Sequence, residues 1–297
     1  MEKQSYRMVT QRIGADKVNN TNFLLNMLKE NEGVLRKLHE EGYNKGSLEY
    51  PVAESGEGVS HEDMPDIPRW KFDLVEGHPR NEKKYVRYDK GSIRTCEAQV
   101  LYSLIRKNKY KDILDIGTGN GFSILYFSKA LKDEGLSGHI DTVDIVDKRE
   151  ERSLGQLFDR FDLEEYITFH VGDSAEVIEK MEKEYDFVLI DGSHTYEQTK
   201  RDFEAVISKV RKGGCVVFHD VYKTPEGVSG VRTFVDEVSA MNLGEVHFFN
   251  KEIFDFFSYQ EDIEDYIRMK NKWHTKQYSY VKEGSDAREL MGVFFKS

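Results

Sequence analysis

The segment Ile113-Leu114-Asp115-Ile116-Gly117-Thr118-Gly119-Asn120-Gly121-Phe122-Ser123 constrains this chain more than any other. An apolar run that ends in an acid and alternating glycines, then opens into a helical pattern, reads as a strand, a tight loop of bare backbone and a helix start. Such a loop lets a ligand approach the main chain closely. Its spacing bears on which ligand: a dinucleotide loop has the form Gly-x-Gly-x-x-Gly, whereas here the third glycine comes early, at Gly121, and Phe122 stands where that pattern has glycine. The loop reads as a nucleotide-type cofactor site and leans away from NAD.

With 297 residues the chain is long enough for one large α/β domain with an N-terminal attachment. Its 43 basic against 54 acidic side chains leave a formal charge of -11, which repels phosphate backbones and argues against nucleic acid as a partner. Cys96 and Cys215 lie far apart and show no metal-type spacing, so neither a disulfide framework nor a cysteine zinc site is expected. The polar start, Met1 to Lys17, has no apolar signal region, and no stretch approaches the roughly 20 apolar residues of a membrane span. A cytoplasmic protein with no membrane partner is the expectation.

Between Asn20 and Glu41 the apolar residues Phe23, Leu24, Met27, Leu28, Val34, Leu35 and Leu38 recur at helical spacing, which predicts one helix, or two broken near Gly33. Residues 44–66, rich in Gly, Ser, Glu and Pro, read as a loop or linker that could serve as a lid. Residues 1–91 thus form an N-terminal helical and loop segment, and 92–297 the main domain. That domain opens with a helix that Ser92 could cap. From there strands at 112–116, 139–144, 167–171, 186–191 and 214–219 alternate with helices at 121–134, 149–161, 174–184 and 195–211. This alternation predicts a doubly wound, mostly parallel α/β sheet. Phe187–Ile190 and Cys215–Phe218 are continuously apolar, as central strands covered on both faces must be. A helix at 229–241, a sixth strand at 245–249 and a last strand at 291–295 complete seven. An insertion at about 251–288, rich in aromatic and charged residues, precedes the last strand and could cover the site or join copies of the chain into a homo-oligomer.

Ligands of open parallel sheets bind beyond the carboxyl ends of the strands. Those ends carry Asp115 with the glycine loop, Asp144, Gly172-Asp173-Ser174, Asp191-Gly192-Ser193-His194 and His219-Asp220. Asp144 is placed to accept hydrogen bonds from ribose hydroxyls. Asp173 could bind a ligand, cap the next helix, or do both. His194, three residues after an acid, could act as a general base, and Asp191 with Asp220 could hold a divalent metal that stabilises a developing alkoxide. For His219 a buried structural or substrate-facing role competes with metal ligation. The stretch Arg80–Lys90, basic with interleaved aromatics, reads as a solvated face, or as a surface recognising an anionic acceptor.

As a set, Asp115-x-Gly117-x-Gly119-x-Gly121, Asp144, Gly172-Asp173-Ser174 and Asp191 resemble the class I S-adenosylmethionine-dependent methyltransferases over about residues 93–242. The resemblance implies a Rossmann-like methyltransferase fold. It also implies that S-adenosylmethionine is bound by Asp115, Gly117, Thr118, Gly119, Gly121, Asp144, Asp173, Ser174 and Asp191, with the glycines at its methionine part, Asp144 at its ribose, Asp173 and Ser174 at its adenine, and Asp115 fixing the loop or reaching the methionine amino group indirectly. The second half resembles a narrower group, the metal-dependent small-molecule O-methyltransferases of catechol and macrolide-sugar type. Those enzymes place a metal-binding acid at the position of Asp191, a catalytic Lys or His at that of His194, and an acidic pair or Asp-Asn at the fifth strand end. The chain departs from them at His219. Mg or Mn is the divalent metal the resemblance implies; magnesium prefers oxygen donors, so either the metal is softer, or Asp220 binds without His219, or no metal is used. The resemblance implies O-methylation of a small hydroxylated molecule, a sugar or natural-product glycoside, with His194 as base. Methylation of RNA or protein, and a scaffold that keeps the fold without catalysis, are the rival readings.

Overall fold

The computed structural model describes residues 23–38, 40–41, 43, 49–51, 85–87, 93–148, 154, 164–221, 223–224, 227–241, 243–248, 253, 256–257 and 291–297. Its core is a seven-stranded sheet built from β1 (Asp112–Ile116), β2 (His139–Asp144), β3 (Ile167–Val171), β4 (Tyr185–Ile190), β5 (Val210–His219), β6 (Gly244–Phe248) and β7 (Met291–Lys296). The spatial order is β6-β7-β5-β4-β1-β2-β3. The strands from β5 to β3 pair in parallel, while β7 runs antiparallel to both β5 and β6. The predicted doubly wound, mostly parallel sheet is therefore present, with its strand order reversing between β1 and β4. As expected from their apolar runs, β4 and β5 lie inside the sheet, and Phe187, Val188, Cys215 and Val216 are fully buried.

Among the described residues, helices α1 (Thr95–Asn108), α2 (Phe122–Asp133), α3 (Ser174–Lys180), α4 (Tyr196–Val206) and α5 (Gly230–Ala240) flank the sheet. Two are shorter than the apolar periodicity predicts. The third ends at Lys180, and Val206 passes into a 3-10 turn at Ile207–Lys209, because β5 already begins at Val210. The start of α1 is also corrected: Arg94 occupies the N-cap position, and its backbone N–H donates to the Glu97 carboxylate at 2.6 Å. The expected cap, Ser92, lies outside the described residues, as does the predicted helix at 149–161 apart from Leu154.

Residues 23–38 are helical without a break at Gly33. They bury Leu24, Met27, Leu28, Leu35 and Leu38 in the same apolar cluster as α1 and α2, which attaches the N-terminal segment to the main domain. The Gln99 side chain donates to the Leu35 carbonyl at 3.3 Å, and Lys107 meets Glu30 at 2.7 Å across the same seam. Within the segment read as loop, Glu49–Pro51 pairs antiparallel with Tyr85–Arg87, so a short ribbon joins it to the basic stretch. Of the 251–288 insertion, Ile253 and Phe257 are buried against the core with Phe256 partly buried beside them, and the other residues lie outside the described ones. Among the described residues no helix is long and apolar enough to cross a membrane.

Candidate active site

At the carboxyl ends of β1 to β4 a cavity of about 530 Å³ opens. Its lining includes Gly117, Thr118 and Gly119 from the loop, Asp144 and Ile145 after β2, Asp173 and Ser174 after β3, and Asp191 after β4. The loop holds its shape through bonds that the sequence dictates locally. Gly117, at φ +100°, donates its N–H to Val143 O at 2.8 Å and lies against the backbone of Asp191, where a side chain would not fit. Gly121, at φ +75°, forms the N-cap of α2 without any side-chain cap, so the positive end of that helix faces the cavity through Phe122 and Ser123. Asp144 ties the loop to β2, accepting the Gly119 N–H on Oδ2 at 3.2 Å and the Val146 N–H on Oδ1 at 3.1 Å.

Asp115 sits behind this loop and not on the cavity wall. It is fully buried, and accepts hydroxyl hydrogen bonds from Thr142 at 2.8 Å and Ser123 at 3.1 Å. Because Thr142 spends its proton on Asp115, Thr118 must be the donor in the 2.6 Å contact between the two threonine hydroxyls. A chain of hydroxyls thus runs from the loop to the acid. Burial pushes the Asp115 carboxyl up to about 7, against the pull of those two hydrogen bonds.

Asp173 caps α3, accepting the Glu176 N–H at 3.2 Å, and its carboxylate also pairs with Arg201 at 3.1 Å. Both roles foreseen for it are compatible, since it caps the helix and still lines the cavity. Ser174 donates to the buried Asp202 at 2.6 Å, and Gln198 Nε2 donates to the same Asp202 oxygen at 2.9 Å and to Ser174 Oγ at 3.2 Å. With its proton committed to Asp202, Ser174 offers the cavity only a lone pair.

Beyond the loop, acids and imidazoles gather at the ends of β4 and β5. His194 is half exposed, with Nδ1 2.9 Å from Asp220 Oδ2 and Nε2 3.8 Å from Asp191 Oδ1. Those two carboxylates, Asp191 first, push its pKa up to about 9. His219 is only 13 % exposed and stands with Nδ1 2.8 Å from Asp191 Oδ1 and Nε2 3.3 Å from Glu97 Oε2. Its Nδ1 contact is an ion pair off the line of a hydrogen bond. Burial opposes a charge on this imidazole, yet Asp191, Glu97 and Asp220 around it hold its pKa well above the usual histidine range. Burial also opposes the charge on Asp191 and Asp220, and there too the neighbouring imidazoles prevail and hold both carboxyls below the ordinary range. Asp220 adopts φ +55°, and its carbonyl accepts the Ser229 hydroxyl at 2.9 Å, which locks the turn after β5 onto the start of α5.

Residues 114–221 match the sequence profile of a family described as a methyltransferase domain. The segment is similar to a methyltransferase domain by that profile. Among solved structures the chain is similar to the O-methyltransferase TomG from Streptomyces achromogenes, involved in tomaymycin synthesis and solved in complex with SAM. The identity is 16 % over 69 % of this chain and 82 % of that one, with a TM-score of 0.49. It is also similar to an O-methyltransferase from Bacillus cereus in complex with SAH, at 17 % identity over 69 % of this chain and 83 % of that one, with a TM-score of 0.47.

Around this segment the structure brings most of the sequence-derived residues together. Gly117, Thr118, Gly119, Asp144, Asp173, Ser174 and Asp191 share one cavity wall, whereas Asp115 and Gly121 support that wall from behind. His194, His219 and Asp220 form the adjoining cluster. Three contributors escaped the sequence reading. Glu97 belongs to the capping pattern Arg94-x-x-Glu97, so its place at a helix start was legible, but its partner His219 is 122 residues away. Gln198 and Asp202 lie on α4, whose charged face looks solvated until Ser174 is placed against it.

A metal ion finds no shared point in this arrangement, because one oxygen of each acid is turned toward an imidazole. Asp191 Oδ1 faces His219 Nδ1 and Asp220 Oδ2 faces His194 Nδ1. Among the described residues no group of three or more His, Cys, Asp or Glu side chains is arranged to hold a metal ion. No catalytic step is therefore built on one.

Proposed function

We propose that this chain is an S-adenosylmethionine-dependent O-methyltransferase acting on a hydroxyl of a small molecule, a sugar or natural-product glycoside. The observation that carries this reading is the shared cavity wall of Gly117-Thr118-Gly119, Asp144 and Asp173-Ser174, with the His194–Asp220 pair at the next strand ends. The glycine loop and the positive end of α2 suit the methionine part. Asp144 retains lone pairs for ribose hydroxyls after its two backbone hydrogen bonds, and Ser174 presents an acceptor suited to an amino group of adenine. Ile145, which is 69 % exposed, gives this end of the cavity an apolar flank. When bound, the cofactor supplies an electrophilic methyl group on sulfonium sulfur.

The chain's own task is to hold the acceptor in line and take up its hydroxyl proton. His194 does the second. Asp220 holds Nδ1–H of the neutral ring, which leaves Nε2 as the site that receives the proton, and the imidazolium then formed lies between Asp220 and Asp191. The net acidity and the two buried free cysteines suit a small-molecule acceptor and a cytoplasmic setting. Calorimetric titration with S-adenosylmethionine and its demethylated product tests the cofactor: micromolar binding of either supports it, and binding of neither overturns it. Methyl transfer to a panel of free sugars, glycosides and phenols then tests the acceptor class.

A further inference from the structure

The cavity wall at the end of β3 is gripped by one face of α4. Gln198, Arg201 and Asp202 share that face by their spacing along the helix, and together they reach Asp173 and Ser174. Arg201 pairs with both oxygens of the Asp173 carboxylate, at 3.1 and 3.2 Å, and its Nη1 also donates to Gln198 Oε1 at 3.0 Å. Gln198 Nε2 donates to Ser174 Oγ at 3.2 Å and to Asp202 Oδ1 at 2.9 Å, while the Ser174 hydroxyl donates to that same Oδ1 at 2.6 Å. Asp202 is only 1 % exposed, and among the described residues its Oδ2 has no hydrogen-bond partner.

These contacts fix which group donates to which. A guanidinium can only donate, so the Gln198 amide must turn its oxygen to Arg201 and its nitrogen to Ser174 and Asp202. Both hydrogens of that nitrogen are then spent. Ser174 Oγ, which accepts one of them, sends its own proton to Asp202 Oδ1. The charge of Asp202 does not alter this direction, because a proton on the acid would sit on the unpartnered Oδ2 and Oδ1 would still accept both bonds. Asp173, Ser174 and Gln198 therefore line the cavity with lone pairs to spare and no uncommitted side-chain hydrogen.

We infer that α4, through Gln198, Arg201 and Asp202, makes the side chains of this wall acceptors only, and so selects a ligand edge that donates: an amino-bearing heterocycle over its oxo-bearing counterpart of the same shape. Gln198 is a specificity-determining residue. Arg201 and Asp202 are positioning residues, which act through the Gln198 amide and the Ser174 hydroxyl. The identity of the ligand rests on the S-adenosylmethionine reading above, in which the donating edge is the exocyclic amino group of adenine. An oxygen in place of that group, as in hypoxanthine, would set a carbonyl against lone pairs with no hydrogen between them.

Calorimetry on the full chain tests this with S-adenosylhomocysteine and S-inosylhomocysteine, which differ at that edge alone. The wild type should bind the adenosyl compound at least about tenfold more tightly than the inosyl one. Asp202→Ala frees the Ser174 hydroxyl to donate, and the two affinities should then come to within about threefold of each other. Asp202→Asn still turns an oxygen toward Ser174 and the Gln198 amide, and it should keep the wild-type ratio. Gln198→Ala, at a half-buried position, removes one acceptor and should lower the ratio at least about threefold. A merely structural role would weaken both compounds alike and leave the ratio in place. Three outcomes would overturn the inference: equal wild-type binding of both compounds, an unchanged ratio in whichever of Asp202→Ala and Gln198→Ala fold, or a folded Asp202→Asn that loses the ratio. Binding of neither compound overturns the cofactor reading and this inference with it, whereas equal binding of both overturns this inference alone.

Discussion

A Cβ placed on Gly117 would stand 2.3 Å from the carbonyl oxygen of Asp191, nearer than real side chains come. The loop after β1 and the strand end of β4 are thus in backbone contact, and the cavity depends on it. Gly117→Ala meets two obstacles, the φ of +100° and the collision. Its cost should be at least about 2 kcal/mol in urea denaturation, with a matching loss of cofactor binding. A variant within about 0.5 kcal/mol of wild type would show that the loop relaxes freely.

Asp144 accepts two backbone N–H groups and faces the cavity, so it should matter to ligand affinity more than to folding. Asp144→Ala is expected to weaken S-adenosylmethionine binding by roughly 10- to 100-fold, the value of hydrogen bonds to a charged group. Calorimetry compares the two proteins, and unchanged affinity would remove Asp144 from the ribose contacts.

His194 with a pKa of about 9 is mostly protonated at neutral pH, and only its neutral form can accept a proton. Turnover should therefore rise about tenfold per pH unit above pH 7 and level off near pH 9. Removing one of the two carboxylates that raise this pKa, in Asp220→Asn, should move the rise to lower pH by about one unit. His194→Ala should lose at least about 100-fold in kcat while keeping cofactor affinity. A flat pH profile, or equal loss of both quantities, would assign His194 a structural role.

Asp115 gives a test in folding alone. Its native pKa of about 7 lies above that of the unfolded chain, so between about pH 4 and pH 7 the native state holds a proton that the unfolded state has released. This group's contribution therefore falls as pH rises through that window, on the order of 2 kcal/mol between pH 5 and pH 8. Asp115→Asn keeps an acceptor for Thr142 or Ser123 and cannot ionise. Its melting temperature relative to wild type should increase from pH 5 to pH 8, and a constant difference would mean that Asp115 is ionised throughout.

Local chemistry is what the sequence records best. Runs such as Phe187–Ile190 have no satisfactory place except inside a covered sheet, and the glycine spacing at 117–121 requires a sharp turn before α2, so strand ends and loop were legible as one-dimensional patterns. Helix ends were less so, because the length of β5 decides where α4 must stop. The cofactor bed followed from the rule that ligands sit beyond parallel strand ends, and Asp144, Asp173 and Ser174 are found there.

Sequence alone thus determined an alternating α/β chain with a glycine-loop site and the acids and histidines that surround it. Only the tertiary structure decided how those groups pair. Asp115 turned inward to hydroxyls, Ser174 was committed to Asp202, and His219 found Glu97 across 122 residues. The physical reason is that patterning reports which residues are buried, whereas charge state and hydrogen-bond direction depend on neighbours brought together by separate elements. At His219 that difference sets which carboxylates the buried imidazole faces, Glu97 on one side and Asp191 on the other.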